Sequence, residues 1–323
     1  MKIGILVAVV VFSLASLATG TEAQNKVRIN WTAVTGAQSG MFMAQQEGLF
    51  RKNALEVELI HIPSSSRGIQ AILAGEIGMS FMDGLNQVQA NLKGANLAMV
   101  VGATNRMVFS LMAKPEIKKI ADLKGKKIGI TRIGSSTHTS ALYALGQGGL
   151  KPSDYQILPL LEVPNILTAL SVGQIDAGVV SPPTNSRAKK SGFVELMNIA
   201  KDGPEYVSVA VGTSRNYLSA NEDIVRRVVR SYAEGVYVFK TNKAAALKMI
   251  QNHLKVKDPD IQEDTFNQFS QYLEYPPYVS RKGMETVVAD VPDAKAAKPD
   301  DFIDMRFVTE LEKEGFFKKF AVK

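Results

Sequence analysis

Two short runs of hydroxyl side chains stand where the chain turns into a helix. Ser64-Ser65-Ser66 precedes Arg67, and Gly134-Ser135-Ser136-Thr137 precedes His138. A Ser or Thr at a helix start accepts a hydrogen bond from a free backbone N–H, and the aligned peptide dipoles place about half a positive charge there. Such an end holds a small anion or polar head without a dedicated cation. The same residues also serve as plain N-caps; two such loops on two matching halves of the chain point to a ligand. Two further loops, Met82-Asp83-Gly84-Leu85 and Ser181-Pro182-Pro183-Thr184, correspond across those halves and border the same expected cleft. Asp83 reads first as an N-cap and second as a ligand contact. Arg67, Arg106 and Arg132 fall close to these loops or to an expected hinge, where an anion would be neutralised, although a surface or interlobe role competes.

Other chemistry is excluded by what the chain lacks. It has no Cys, which removes disulfides, thiolate metal sites, iron–sulfur clusters and thiol nucleophiles. Its three His, at positions 61, 138 and 253, do not stand at the i, i+4 spacing of a zinc helix. No phosphate-binding loop, dinucleotide-binding glycine motif or nucleophile elbow occurs. Ser136 and His138, two apart, do not by themselves make a nucleophile–base pair. The expectation is a protein that is not an enzyme and carries no cofactor and no metal.

The elements that must hold these loops come in two copies. Residues 57–83 read VELIHIPSSSRGIQAILAGEIGMSFMD, and residues 155–181 read YQILPLLEVPNILTALSVGQIDAGVVS. Gly75 recurs as Gly173 and Ile77 as Ile175, a shift of 98 residues. Each copy is an apolar strand, a helix with apolar spacing (Ile69, Ile72 and Leu73; Ile166, Leu167 and Leu170), a Gly stop and a second strand. Upstream, residues 27–30 and 127–130 each form a strand followed by a Gly/Ser loop and a helix, expected over 41–48 and 139–146. Each half thus alternates strand and helix as an α/β lobe with a mostly parallel sheet does. A lone alternating strand at 207–211 and then a long helical run over 224–254 place the chain back in the first lobe. The division is 24–107 for the first part of lobe 1, 108–207 for lobe 2, and 208–323 for the return to lobe 1 with the C-terminal helices.

The whole chain has 323 residues, 46% hydrophobic and 21% charged, an ordinary two-domain globular mixture. A net charge of +7 without blocks of like charge argues against a nucleic-acid partner. Lys2, the apolar stretch 3–18 and the small residues up to Ala23 have the pattern of a cleaved secretory leader over residues 1–23, too short for a membrane span. With no Cys to carry a lipid, the expected mature chain is free in the periplasm, a monomer without membrane insertion.

These segments together — LAGEIGMSFMDG at 73–84, ADLKGKKIGITRIGSST at 121–137, LSVGQIDAGVVSPP at 170–183 and FKTNKAAALKMI at 239–250 — resemble the periplasmic substrate-binding proteins of ABC importers. The branch is that serving nitrate, sulfonates, taurine and thiamine pyrimidine precursors. The resemblance implies a two-lobed type II fold that closes on a small-molecule ligand and presents it to an ABC permease in the inner membrane. It places the ligand against residues 36–42, with Ser39, Gly40 and Phe42, against Ser64 to Ser66 and Asp83, and, from the other lobe, against Ser135 to Thr137 and Ser181, Pro182 and Thr184. Some sulfonate and taurine binders carry a tryptophan–aspartate segment where this chain has Ser181-Pro182-Pro183-Thr184, which leaves the ligand open. Two rivals stand beside this reading: an enzyme on the same fold, pyrimidine-precursor synthase-like, and a sensory protein that works without a permease.

Overall fold

The computed structural model describes residues 25–294 and 296–322; the expected leader lies outside them. Ten strands form two five-stranded sheets of matching order. The first is β2-β1-β3-β10-β4, built from β1 (Asn25–Trp31), β2 (Leu55–His61), β3 (Met79–Met82), β4 (Leu97–Thr104) and β10 (Val209–Ser214). The second is β7-β6-β8-β5-β9, built from β5 (Ser110–Ala113), β6 (Lys127–Ile130), β7 (Gln156–Pro159), β8 (Ala177–Val180) and β9 (Val194–Asn198). In both sheets the first three strands are parallel and the fourth runs against its neighbours. The chain crosses between sheets twice, from β4 to β5 and from β9 to β10, and β10 pairs with β3 and β4.

Strand and helix patterns follow from where apolar side chains fall. In β1, Val27 and Ile29 are buried while Lys26 and Arg28 face out, and the strand takes a central place between β2 and β3. The helix Ser65–Leu73 buries Ile69 and Ile72, three apart on one face, each worth roughly 1.5–3 kcal/mol of burial. Its equivalent Val163–Ser171 buries Ile166, Ala169 and Leu170.

Helix boundaries differ from the sequence pattern where a cap intervenes. The run expected over 224–254 is two helices, Glu222–Thr241 and Lys243–His253, because the Asn242 side chain caps the second by accepting from the Ala245 N–H at 3.1 Å. Near the C-terminus, Arg306–Lys313 and Phe316–Lys319 are parted by Gly315 at φ 75°. Among the described residues no helix is long and apolar enough to cross a membrane.

Candidate functional site

All parallel strands of one sheet end on the same side, so the loops after them collect at one edge. The loops after β1, β2 and β3 in one lobe and after β6, β7 and β8 in the other meet around a single cavity, which leaves about 90 Å³ for the centres of water-sized atoms. Hydroxyl and amide residues contribute much of the lining: Thr32, Thr35, Gln38, Ser64 and Ser65 from lobe 1, and Thr131, Ser135, Ser136, Thr137 and Ser181 from lobe 2. Val34, Met82, Val108, Phe109, Leu161 and Val163 add apolar wall, and Thr104 and Ser208 stand where the chain crosses between lobes.

The two sides of the cavity are built differently. On the lobe 2 side three hydroxyls close a triangle: Thr131 Oγ1 to Ser135 Oγ at 2.9 Å, Thr131 Oγ1 to Thr137 Oγ1 at 2.8 Å, and Ser135 Oγ to Thr137 Oγ1 at 2.9 Å. Thr137 Oγ1 also accepts from the Thr131 N–H at 2.9 Å, and Ser135 Oγ donates to the Arg132 carbonyl at 2.7 Å. His138 Nδ1 accepts from the Gly134 N–H at 3.1 Å, and burial lowers its pKa, so the imidazole is held neutral.

On the lobe 1 side, Ser64 heads the helix Ser65–Leu73 yet makes no side-chain cap. Its φ of 82° with ψ 138° lies where side chains are rarely tolerated, a conformation that turns its hydroxyl toward Ser66 Oγ at 2.9 Å instead. Ser65 Oγ accepts from the Asp83 N–H at 3.2 Å. Gln38 closes the neighbouring loop, donating to Thr32 Oγ1 at 2.8 Å and accepting from the Thr32 N–H at 3.1 Å. Thr104 Oγ1 and Ser208 Oγ, both deeply buried, have no hydrogen-bond partner among the described residues. Other buried hydroxyls, Ser39, Ser140 and Ser270 among them, also lack a partner; Thr104 and Ser208 are the two that line the cavity, where a molecule that enters could supply one.

The lobes touch on both flanks of the cavity. On one, Asn86 Nδ2 donates to the Gly134 carbonyl at 2.9 Å and Ser136 Oγ donates to Asp83 Oδ2 at 3.3 Å. Asp83 is 2% exposed; burial raises its pKa, against the opposing pull of bonds from Asn86, Ser65 and Ser136. On the other, Asn185 Nδ2 donates to Gln268 Oε1 at 3.2 Å and Ser186 Oγ bonds to the Asp264 carboxylate.

Of the residues singled out in the sequence, the cavity brings together Ser64, Ser65, Ser135, Ser136, Thr137 and Ser181. The others lie elsewhere. Phe42 is in the lobe 1 core, stacked on His253 at 4.8 Å, because the helix Ser39–Gln46 turns that face inward; Ser39 and Gly40 are buried on the same helix. Asp83 caps the helix Gly84–Leu92 through the Asn86 N–H at 2.8 Å and meets the opposite lobe rather than the cavity. Ser66 points to its neighbour Ser64, and Arg106 donates to the carbonyls of Ala200 and Gly203 at 3.3 and 3.1 Å, bracing a crossing. Arg132, Pro182 and Thr184 do not line the cavity. Thr32, Thr35, Gln38, Thr131 and Glu162 were missed. The signal available for them was positional: each follows a parallel strand, whatever its neighbours' composition.

Two α/β lobes joined by two crossings, with one cavity between the carboxyl ends of their strands, make this the fold of the periplasmic binding proteins. Residues 36–246 match the model of the family described as NMT1/THI5 like, and the chain belongs to that family. The taurine-binding periplasmic protein of Escherichia coli (strain K12) is 26% identical over 251 residues, 75% of this chain and 76% of that one. The alkanesulfonate-binding protein SsuA from Xanthomonas axonopodis pv. citri, solved with MOPS bound, superposes with a TM-score of 0.70 at 22% identity over 82% of this chain and 90% of that one. The periplasmic nitrate-binding protein NrtA from Synechocystis PCC 6803 gives 0.77 at 11% identity over 93% and 91%. A further relative, 28% identical over 157 residues, 47% of this chain and 48% of that one, is described as a putative thiamine biosynthesis protein of Haemophilus influenzae, so the curated relatives include both binding proteins and a biosynthesis protein.

Proposed function

We propose that the protein captures a small polar or anionic organic solute between lobes formed by residues 24–107 with 208–323 and by residues 108–207, and delivers it to an inner-membrane ABC permease. In this reading the chain reaches the periplasm by removal of residues 1–23 and works as a monomer. The observation that carries it is the pair of buried, partnerless hydroxyls, Thr104 and Ser208, on a cavity where both lobes contribute helix starts. The first turn of the helix Ser65–Leu73 lacks a side-chain cap, so its N–H groups are free to receive acceptor oxygens, and the dipole favours negative charge there. Bonds to both lobes exist only when they meet, so binding favours the closed arrangement, the form a permease would recognise.

Titration calorimetry of the chain from residue 24 against nitrate, short sulfonates, aromatic acids and pyrimidines tests this. We expect one class to bind and Ser65→Asp, which sets a carboxylate on that helix end, to weaken it by about a hundredfold or more. Consumption of a bound compound, or tightest binding of a simple amine lacking any acceptor-rich group, would overturn the reading.

A further inference from the structure

We propose that Glu162 makes the cavity select a solute with a cationic nitrogen as well as an acceptor-rich head, so that the ligand is a zwitterion rather than a plain anion. The inference rests on the capture function proposed above and adds the ligand's charge pattern. Among the residues that line the cavity, Glu162 alone carries a formal charge. It stands 98 residues after Ser64, at the corresponding helix start of the other lobe. Where lobe 1 offers a hydroxyl and free N–H groups, lobe 2 offers a carboxylate, followed by Pro164, which has no N–H to give. The lobe 1 wall therefore favours negative charge at Ser64 and the lobe 2 wall positive charge at Glu162.

No ion pair among the described residues neutralises that carboxylate. Glu162 does not cap its own helix, and among the described residues it makes no ion pair; Arg132, on the adjacent loop, makes none either. His61, whose field from Glu162 crosses the cleft, is stacked on Trp31 at 3.9 Å. Burial lowers the His61 pKa more than Glu162 raises it, which keeps the imidazole uncharged near neutral pH. Asp83 and Asp264, the other carboxylates near the cleft, are engaged by Asn86 and Ser136 and by Ser186 and Gln268. An unpaired carboxylate facing a closing cavity repels a bare anion and attracts a cation, more strongly as water leaves.

The test is calorimetry on the chain from residue 24 with compounds of one skeleton that differ in a single group: 2-amino-, 2-hydroxy- and unsubstituted ethanesulfonate, and the amino and hydroxy members of a short carboxylate series. The amino member of the bound series should be at least about tenfold tighter than its hydroxy counterpart. Glu162→Gln should bring the two to within about twofold, chiefly by weakening the amino member. A melting curve for the variant that matches the wild type assigns the change to the contact and not to folding. Equal binding of amino and hydroxy members by the wild type, or a preference that survives Glu162→Gln, would overturn this inference and leave the capture function standing. Absence of binding by every small solute in both panels would overturn both.

Discussion

The two lobes share strand order and helix placement, yet they pack their matching helix onto their matching sheet in opposite ways. In lobe 1 the small residue is on the helix: a Cβ on Gly68 would stand 2.3 Å from Ser80 Oγ and 2.6 Å from Asn30 Nδ2. Those two sheet residues are fully buried and bonded, Asn30 Nδ2 donating to Ser80 Oγ at 2.9 Å while Asn30 Oδ1 accepts from the Ile62 N–H at 2.7 Å. In lobe 2 the small residues are on the sheet. Gly129 and Gly178 lie on the paired strands β6 and β8, and a Cβ on either would meet Ile166 Cγ2 at 3.2 and 2.3 Å. Ile166 is the repeat counterpart of Gly68, and Gly178 that of Ser80. A protrusion and its recess have changed sides. The repeat preserves shape complementarity, and the residues that supply it are free to differ. Lobe 1 gains from its version a buried polar pair that ties down the backbone just before Ser64, which lobe 2 does without.

That exchange is open to direct attack. Gly68→Ile pushes a branched side chain into the Asn30–Ser80 pair and should cost about 3 kcal/mol, read as a lower urea midpoint. Adding Asn30→Gly and Ser80→Gly transplants the lobe 2 solution into lobe 1 and should restore at least about half of that loss. A triple variant no more stable than Gly68→Ile would show that the complementarity is not what holds this helix.

A second difference concerns the hydroxyl-rich loops. The Thr131–Ser135–Thr137 triangle satisfies itself and shapes its loop before any ligand arrives, whereas Ser64 leaves its helix start uncapped. Thr137→Val removes the acceptor of the Thr131 N–H from a residue 3% exposed, and should lower unfolding stability by about 1–3 kcal/mol. Ser64→Ala should leave the urea midpoint nearly unchanged, because its hydroxyl bonds only to the exposed Ser66, and should act on binding instead. Unfolding curves and titrations of both variants separate the two roles. Equal stability losses would erase the contrast.

The same contrast marks where sequence reasoning carries and where it stops. Alternating strands, helices with apolar spacing and the repeated Gly75 and Gly173 stops are local patterns, and they place the two lobes and the edge where the loops gather. Which loop residues face the cavity depends on how helices roll against their sheets. Phe42 looks like a ligand platform from its loop, but the roll of Ser39–Gln46 sends it to His253 in the core. Arg106 looks like an anion partner, but carbonyls of the short helix Ile199–Asp202 and its cap Gly203 claim it. Glu162 escapes notice because its neighbours are apolar and it breaks the hydroxyl pattern that draws attention to 64–66 and 135–137. Composition finds loops that look alike; the cavity is made by loops at equivalent places that do not.

The smallest expected effect lies at the contact between lobes. Asp83 belongs to lobe 1 and takes a bond from Ser136 of lobe 2, so its charge state bears on how the halves meet. Burial raises its pKa above the ordinary carboxylate value, which means that the folded chain holds this proton more tightly than the unfolded chain does. Its contribution to stability is therefore fully present below the unfolded-state pKa and is lost as pH rises through the folded-state value. Asn at this position keeps an acceptor for the Asn86 N–H but has no proton to exchange. Comparing wild type with Asp83→Asn by urea unfolding from pH 7.5 down to pH 4.5, we expect the wild type to gain on the variant as pH falls, by less than the losses expected for Gly68→Ile and Thr137→Val. A wild type that instead loses ground to the variant on acidification would mean that the bonds from Asn86, Ser65 and Ser136 outweigh burial, and that the lobes are joined here by a carboxylate rather than by a group close to neutral.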